Sequence, residues 1–474
     1  MVETMSAAAS RGGTRTERDS LGSLEVPANA YYGVQTARAV ANFPISGERL
    51  HPEMVRAVTR IKIAAARANA ELGALDAKKA DAIVRAGDEI LAGKHDDQFV
   101  VDAYQAGAGT SFHMNVNEVI ANRAAELLGG ERGDTKLVSP NDHVNMAQST
   151  NDVIPTAIRL ATYVLSGPVV EEMQLLARSF GERSRAFSDV LKSGRTHLQD
   201  AVPITLGQEF GGYQVAIDGW ADSLKRSRAG LLALGLGGNA AGTGINAHPK
   251  YRERAVANLA AMVDAPFTPA PNLFEAMQSM APLVRLSNDL RGFALDLTRI
   301  ANDLRLLASG PTTGFNEIVL PTVQPGSSIM PGKVNPVMLE MTNMVCFQVL
   351  GYDATVAYAA QAGQLELNVM MPVIAHNLLR SLHILAPALK ALREKCVDGI
   401  TANEEVCRGY FDRSISVATA LNPYIGYLAA AEVAKESAKT GKTVVQIVRE
   451  RKLLTEEQIA KAFSPEGMTH PGGN

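Results

Sequence analysis

An all-α fold follows from three features of this 474-residue chain. Aromatic residues are only 5% of it, with a single tryptophan, Trp220, while alanine and leucine abound. That composition favours helix formers over the β-branched and aromatic residues that fill sheets. Between Pro282 and Ser309, Leu283, Leu286, Leu290, Phe293, Leu297, Ile300, Leu304 and Leu307 alternate spacings of three and four. Such a heptad seam predicts a long straight helix packed at a shallow angle in a bundle. Finally, apolar stripes of helical period recur along much of the remaining chain.

Taken in order, the first helix with a clear stripe starts near Pro52, where Met54, Val58, Ile61 and Ala65 share one face and Arg56, Arg60 and Lys62 lie off it. Similar patterns predict helices over about 155–190, 208–236, 336–362 and 372–400, and the seam helix stops at Ser309-Gly310-Pro311. Clusters of Gly, Pro and Asn mark breaks at 139–145, 235–249, 310–336 and 421–426. The expected organisation is a flexible tail over 1–18, an N-terminal helical domain over 19–148, a central long-helix bundle over 149–405 and a small helical domain over 406–474. The break at 310–336 is long for a connection between helices, and such loops tend to be functional or mobile.

Charge and cysteine content narrow the function classes. Lys plus Arg number 46 against 49 Asp plus Glu, a net charge of -3, so no basic footprint for nucleic acid exists. A small anion would have to be held by a few local cations and backbone N–H groups. Cys346, Cys396 and Cys407 are too few and too scattered for a disulfide framework, which points to a reducing, cytoplasmic setting. No window approaches the roughly 18 uncharged apolar residues of a membrane span. The first residues lack a secretory apolar core, and Glu3, Glu17 and Asp19 disfavour a transit peptide.

Four polar clusters carry the chemistry. Gly326-Ser327-Ser328-Ile329-Met330-Pro331-Gly332-Lys333-Val334-Asn335-Pro336 combines glycines, hydroxyls and one cation ahead of a helix start. It suits an anion nest, or else a surface loop whose Gly and Pro merely shape turns. Val334 after the lysine excludes a P-loop. Gly107-Ala108-Gly109-Thr110-Ser111 and Gln148-Ser149-Thr150-Asn151-Asp152 offer hydroxyls and amides at helix starts, where capping is the competing explanation. Gly194-Arg195-Thr196-His197 places a titratable side chain in a break, as a catalyst or as a satisfied structural histidine; His143 is equally ambiguous. Neither a metal-ligand set nor a dinucleotide fingerprint is present, so no metal and no cofactor are expected. Together the clusters supply hydroxyls, amides, one His and one Lys, an inventory suited to a small dicarboxylate.

GSSIMPGKVNPVMLE closely resembles the signature of the fumarase/aspartase superfamily, and the other three clusters resemble its further motif blocks in the same order. The resemblance extends from residue 19 to the ITANEEVC and LNPYIG segments. Ser111, Thr150 and Gln364-Leu365 look like the aspartase branch, whereas Gly332 looks like the fumarase branch. The resemblance implies three mostly helical domains with a central five-helix bundle, a homotetramer, and active sites shared between subunits. It implies reversible, cofactor-free removal of ammonia from L-aspartate to give fumarate. A class II fumarase converting fumarate to L-malate and a non-catalytic structural relative are the alternatives.

By the same resemblance Ser327 is the base, acting as an alkoxide. Thr110, Ser149, Thr150 and Ser328 hold the carboxylate that gains charge; Lys333, Asn335 and Thr196 bind the other; Asn151 and His197 face the amino group. Gly326 and Gly332 hinge the loop over substrate. Three positions depart from the family pattern: Ser139 for a common His, His113 for the usual Asn, and Met371 for an acid common among aspartases.

Overall fold

The computed structural model describes residues 13–471. It opens with a hairpin, β1 (Thr14–Asp19) paired with β2 (Gly22–Pro27). The Arg15 guanidinium fastens it by donating to the carbonyls of Pro27, Ala30 and Tyr32, each at 2.8 Å. The flexible tail expected over 1–18 is thus corrected for 14–18, while residues 1–12 lie outside the described residues.

Helices follow: α1 (Val34–Asn42), α2 (Pro52–Glu71), α3 (Ala77–Leu91), α4 (Thr110–Leu127) and the 37-residue α5 (Thr150–Ala186). Then come the hairpin β3 (Leu191–Thr196) and β4 (Gln199–Thr205), α6 (Leu206–Ala229), β5 (Ala233–Leu234), α7 (Tyr251–Val263) and β6 (Thr268–Pro269). Next are α8 (Leu273–Gln278), α9 (Ala281–Leu307), β7 (Ile318–Val319), α10 (Val337–Gln361), α11 (Met371–Lys395), β8 (Thr401–Ala402) and α12 (Glu404–Arg413), before short C-terminal helices. The strands form only two-stranded sheets among the described residues, which leaves the protein all-α in class.

Boundaries differ from the sequence expectation where local caps decide. Helix α5 begins at Thr150 rather than near Pro155, because Ser149 and Asp152 form a reciprocal cap. Ser149 Oγ accepts from the Asn151 N–H (3.2 Å) and Asp152 Oδ1 from the Ser149 N–H (2.9 Å). LNPYIG is a helical turn, Asn422–Ile425, ended by Gly426 at φ +78°. An 18-residue window of α5 has a mean hydropathy of 1.4, apolar enough to cross a membrane, contrary to the sequence expectation. Since 72% of that window is buried within the protein, packing in a helical core accounts for it.

Contacts divide the chain into two compact units. The first takes residues up to Val169, Ser223–Arg291 and Gln348–Ile384; the second takes Val170–Asp222, Gly292–Phe347 and Leu385 onward. Every residue of the α9 seam is at most 5% exposed, so the heptad spacing did mark a buried stripe. In the first unit α2 packs against α3, α4 and α7, and its stripe residues Met54, Val58, Ile61 and Ala65 are fully buried. Ser223 and Ser227 donate to Asp289, tying α6 to α9, and Ser287 donates to Asp353 (2.6 Å), tying α9 to α10.

The second unit packs Phe180, Phe210 and Tyr213 edge to face or tilted between α5 and α6. Trp220 donates from Nε1 to Asp296 (2.7 Å) and lies across Gly292, where a Cβ would sit 2.1 Å from the indole. Gly292→Ala would gain about 1 kcal/mol of helix propensity but force the rings apart at a cost of about 1–3 kcal/mol. A net fall in melting temperature is expected; a rise would show that Trp220 moves aside freely.

Candidate active site

Of the expected site residues, the first unit holds Thr110, Ser149, Thr150 and Asn151. The remaining ones, Thr196, His197, Ser327, Ser328, Lys333 and Asn335, belong to the second.

In the first unit two helix N-termini converge. Gly109, at φ +84°, turns the chain into α4 and lies so close to α5 that a Cβ would meet Ile154 at 3.4 Å. Ala108 donates to the carbonyl of Val369 (2.7 Å), which brings the 362–369 segment, the one that carries Gln364 and Leu365, to the same place. Thr110 is exposed at the head of α4, with only a long bond to Gly107 O (3.5 Å). Thr150 stands at the head of α5, and His113, one turn into α4, joins the two helices through Nδ1 at 2.8 Å from Thr150 Oγ1. Asn151 donates to Ala240 O (2.7 Å). Two positive helix ends and several hydroxyls favour an anion here.

Beneath these residues lies a buried polar layer that the sequence did not reveal. Lys62, read as lying off the apolar stripe of α2, is 0% exposed. The reason is that α2 is covered by helices on more than one side. Its Nζ approaches His113 Nε2 (2.6 Å), Asn145 Oδ1 (2.9 Å) and Gln148 Oε1 (2.9 Å). Burial draws the Lys62 amine well below its usual value, and the Asp152 carboxylate opposes that pull.

Asp152 is itself fully buried. Its Oδ2 accepts from the N–H groups of Gly237 (3.0 Å) and Asn239 (2.9 Å), so it anchors the 235–249 loop as well as Ser149. Burial pushes its pKa up to about 6, against the pull of those N–H groups and Lys62. A folded value above the ordinary 3.8 means that the native state binds this proton more tightly. Its contribution therefore favours folding below the unfolded value and is lost as pH rises through about 6. Asp152→Asn must turn an NH2 toward at least one backbone N–H, and is expected to destabilise the protein by about 1–3 kcal/mol. Unchanged denaturant resistance would refute that role.

The departures from the family pattern are also placed. Ser139 caps the turn over Pro140–Val144, accepting from Asp142 N–H (3.0 Å), and it borders a cavity of about 760 Å³. Met371 is fully buried at the head of α11, away from solvent. His143, the other ambiguous histidine, accepts from Ser139 N–H through Nδ1 (2.8 Å) and has a structural role.

In the second unit Ser327 sits in a loop whose backbone is turned inward. Its Oγ accepts from the N–H groups of Ile329 (3.2 Å) and Met330 (2.8 Å). Two donors on one hydroxyl oxygen favour negative charge there and leave the serine proton free to depart. Asn335 Nδ2 closes the loop by donating to Gly326 O. Gly326 is required for that closure, since a Cβ would lie 2.2 Å from Lys333 O. Lys333 and Asn335 line a cavity of about 680 Å³ that also takes in Asn302, Arg305 and Glu340; Ser327 is not in its wall.

Thr196 ends β3, paired with Gln199, and His197 and Leu198 form the tip of the β3–β4 hairpin at φ +55° and +58°. Directly behind them Arg195 Nη1 meets Glu317 Oε1 at 2.9 Å and its guanidinium lies over Phe315 (4.3 Å). Glu317, 0% exposed, also pairs with Lys192 (2.8 Å), an ionic contact to Oε2 that lacks hydrogen-bond geometry. Neither Lys192 nor Glu317 was expected from sequence. Among the described residues the side chains of His197, Ser328 and Lys333 have no hydrogen-bond or ion-pair partner, so their donors are available to a ligand.

The three thiols are buried and unpaired, and burial raises Cys346 to about 11 and both Cys396 and Cys407 to about 12. They are ill suited to nucleophilic chemistry.

A long-helix fold with hydroxyl-rich loops and an N–H-cradled serine defines a lyase-type site. The lyase family matches residues 22–351, and the fumarase C C-terminal family matches 417–470. An aspartate ammonia-lyase of Bacillus sp is 48% identical over 97% of this chain and 98% of its own length. A class II fumarate hydratase of Halobacterium salinarum is 51% identical over 97% of both chains. The structure of a fumarate lyase:delta crystallin from Brucella melitensis, bound to cobalt, superposes with a TM-score of 0.93. It is 48% identical, with 97% of this chain and 100% of that chain covered. The chain belongs to the fumarase/aspartase superfamily of lyases, and it is an enzyme.

Proposed function

We propose that the protein is an aspartate ammonia-lyase, a carbon–nitrogen lyase that converts L-aspartate reversibly to fumarate and ammonia. The observation that carries the chemistry is Ser327 Oγ under two backbone N–H groups. As an alkoxide it takes the proton from the carbon beside the β-carboxylate. The C–H electron pair moves into that carboxylate, giving an aci-carboxylate with two negative charges. Collapse of that dianion forms the C=C bond as the C–N bond of the substrate's ammonium group breaks, its electron pair leaving with neutral ammonia.

Donors aimed at the developing charge lower the barrier most. In this reading Thr110, Ser149, Thr150 and Ser328 receive the carboxylate that gains charge. Lys333, Asn335 and Thr196 hold the other, while Asn151 and His197 face the amine. Closure of the loop between Gly326 and Gly332 would exclude water.

The choice of L-aspartate is supported by Ser111, Thr150 and Gln364-Leu365 and by the full-length similarity to aspartate ammonia-lyases. Gly332 and the Halobacterium relative favour a second reading, hydration of fumarate to L-malate. Purified protein given L-aspartate or L-malate separately, with fumarate followed by absorbance, distinguishes them. Fumarate from L-aspartate is expected; fumarate from L-malate alone would replace this assignment with the fumarase. The complete set of Ser327, Lys333, Asn335, Thr196 and His197 argues against a non-catalytic relative.

A homotetramer with sites shared between subunits accords with exposed apolar side chains on the long helices. Val215 is 71%, Leu295 55%, Met344 68%, Phe347 57% and Tyr358 72% exposed in the single chain. Exposed apolar area of that kind generally marks an interface. Sedimentation equilibrium is the measurement, and a monomer at micromolar concentration would exclude it.

A further inference from the structure

The layer under Thr150 has a direction. Asn145 Nδ2 donates to Gln148 O (3.2 Å), while Gln148 Nε2 donates to the carbonyls of Val144 and Met146 (both 3.1 Å). With their NH2 groups so engaged, both amides must turn oxygen toward Lys62 Nζ. The third neighbour is His113 Nε2. An ammonium has three N–H bonds and no lone pair, so it fills this shell only if Nε2 carries the lone pair. The imidazole is then neutral with its proton on Nδ1, and burial, which pushes His113 well below the usual histidine value, agrees. That Nδ1–H points at Thr150 Oγ1, 2.8 Å away. A hydroxyl whose oxygen already accepts from this side is left to donate its own proton outward.

The reverse arrangement is the alternative. A neutral amine would accept from Nε2–H, and Nδ1 would then take the Thr150 proton. The two N–H bonds of that amine would still reach both amide oxygens, so what selects the charged form is the buried Asp152 carboxylate, whose charge opposes the effect of burial on Lys62 and would otherwise lack a counter-ion.

We propose that His113 is a positioning residue: held in its Nδ1–H form by the Lys62 ammonium, it turns Thr150 into a fixed hydrogen-bond donor for the substrate carboxylate. The chain of donation runs Lys62 to His113 to Thr150 to ligand, and it transmits a buried positive charge to the site without exposing it. The inference rests on the proposed ammonia-lyase reading for its kinetic effect, but the tautomer does not depend on which substrate is used.

Two measurements therefore test it. Nitrogen NMR of the whole protein labelled with [15N-imidazole]histidine, with the His113 signals assigned by their loss in His113→Asn, reads the tautomer directly. A neutral ring protonated at Nδ1 is expected, and an Nε2–H or cationic ring would overturn the proposal whatever the substrate. A double-mutant cycle in L-aspartate turnover reads the path. His113→Phe should lower kcat roughly 10- to 100-fold with kcat/KM falling in step. In a Thr150→Val background it should cost nothing further, because the donor it orients is gone. Equal loss in both backgrounds would overturn the proposal in favour of a merely structural histidine. Thr150→Ser, which keeps the hydroxyl, should retain sensitivity to His113→Phe. If wild-type protein turns over L-malate but not L-aspartate, the parent assignment fails, and the same cycle is run in L-malate.

Discussion

Ser327→Ala is expected to lower kcat by roughly 10²- to 10⁴-fold, the range assigned to a positioned general base, with a much smaller change in KM. The direction follows from what the loop is built to do. Two N–H groups converge on the Ser327 oxygen, and Gly326 and Asn335 close the loop around it. Alanine leaves this cradle standing with nothing to take the proton. Binding of a dicarboxylate should persist, because Lys333 and Asn335 are untouched. Steady-state kinetics with a parallel fumarate-binding titration separates the two effects. Undiminished turnover would remove Ser327 from the role of base and move attention to His197.

The second large effect is on stability. Glu317→Gln removes the carboxylate that both Lys192 and Arg195 face, in a place where Glu317 is 0% and Lys192 1% exposed at the side chain. Breaking a buried pair by deleting one partner costs about 3–5 kcal/mol, because the surviving charge has lost its water as well as its counter-ion. Here the lower end is expected, since Lys192 keeps Glu209 at 2.7 Å. Arg195 has no such reserve, and it is the residue beneath the hairpin tip. The variant should therefore show an earlier unfolding transition by calorimetry and a loss of activity beyond its loss of folded protein. An unchanged thermogram would mean that solvent reaches the pair.

Much of this was readable in the sequence, for definite reasons. The α9 seam was visible because a helix buried along one stripe writes its period into the chain. The four polar clusters were visible because loops that present hydroxyls and backbone donors need runs of Gly, Ser, Thr and Asn. Lys62 was not visible. It lies on α2 away from the apolar stripe, and the amides that surround it come from 83 and 86 residues further on. Periodicity reports one face of one helix and is silent about what arrives over the other. Glu317 and Lys192 escaped for the same reason, being single charges whose partners are set by tertiary contact. The start of α5 was misplaced because Pro155 looked like a helix opening, whereas Ser149 and Asp152 had already capped it.

The hairpin tip carries a further implication for how this protein could change under selection. His197 and Leu198 both occupy left-handed backbone, at φ +55° and +58°, where a side chain other than Gly, Asn or Asp is disfavoured by about 1 kcal/mol or more. A sequence chosen for heat resistance alone would drift toward Asn-Gly at these two positions and lose the imidazole. Leu198→Gly should stabilise the turn and spare the histidine, whereas His197→Asn should stabilise it at the expense of activity. The turn is a place where thermal robustness and turnover pull on the same residue in opposite directions.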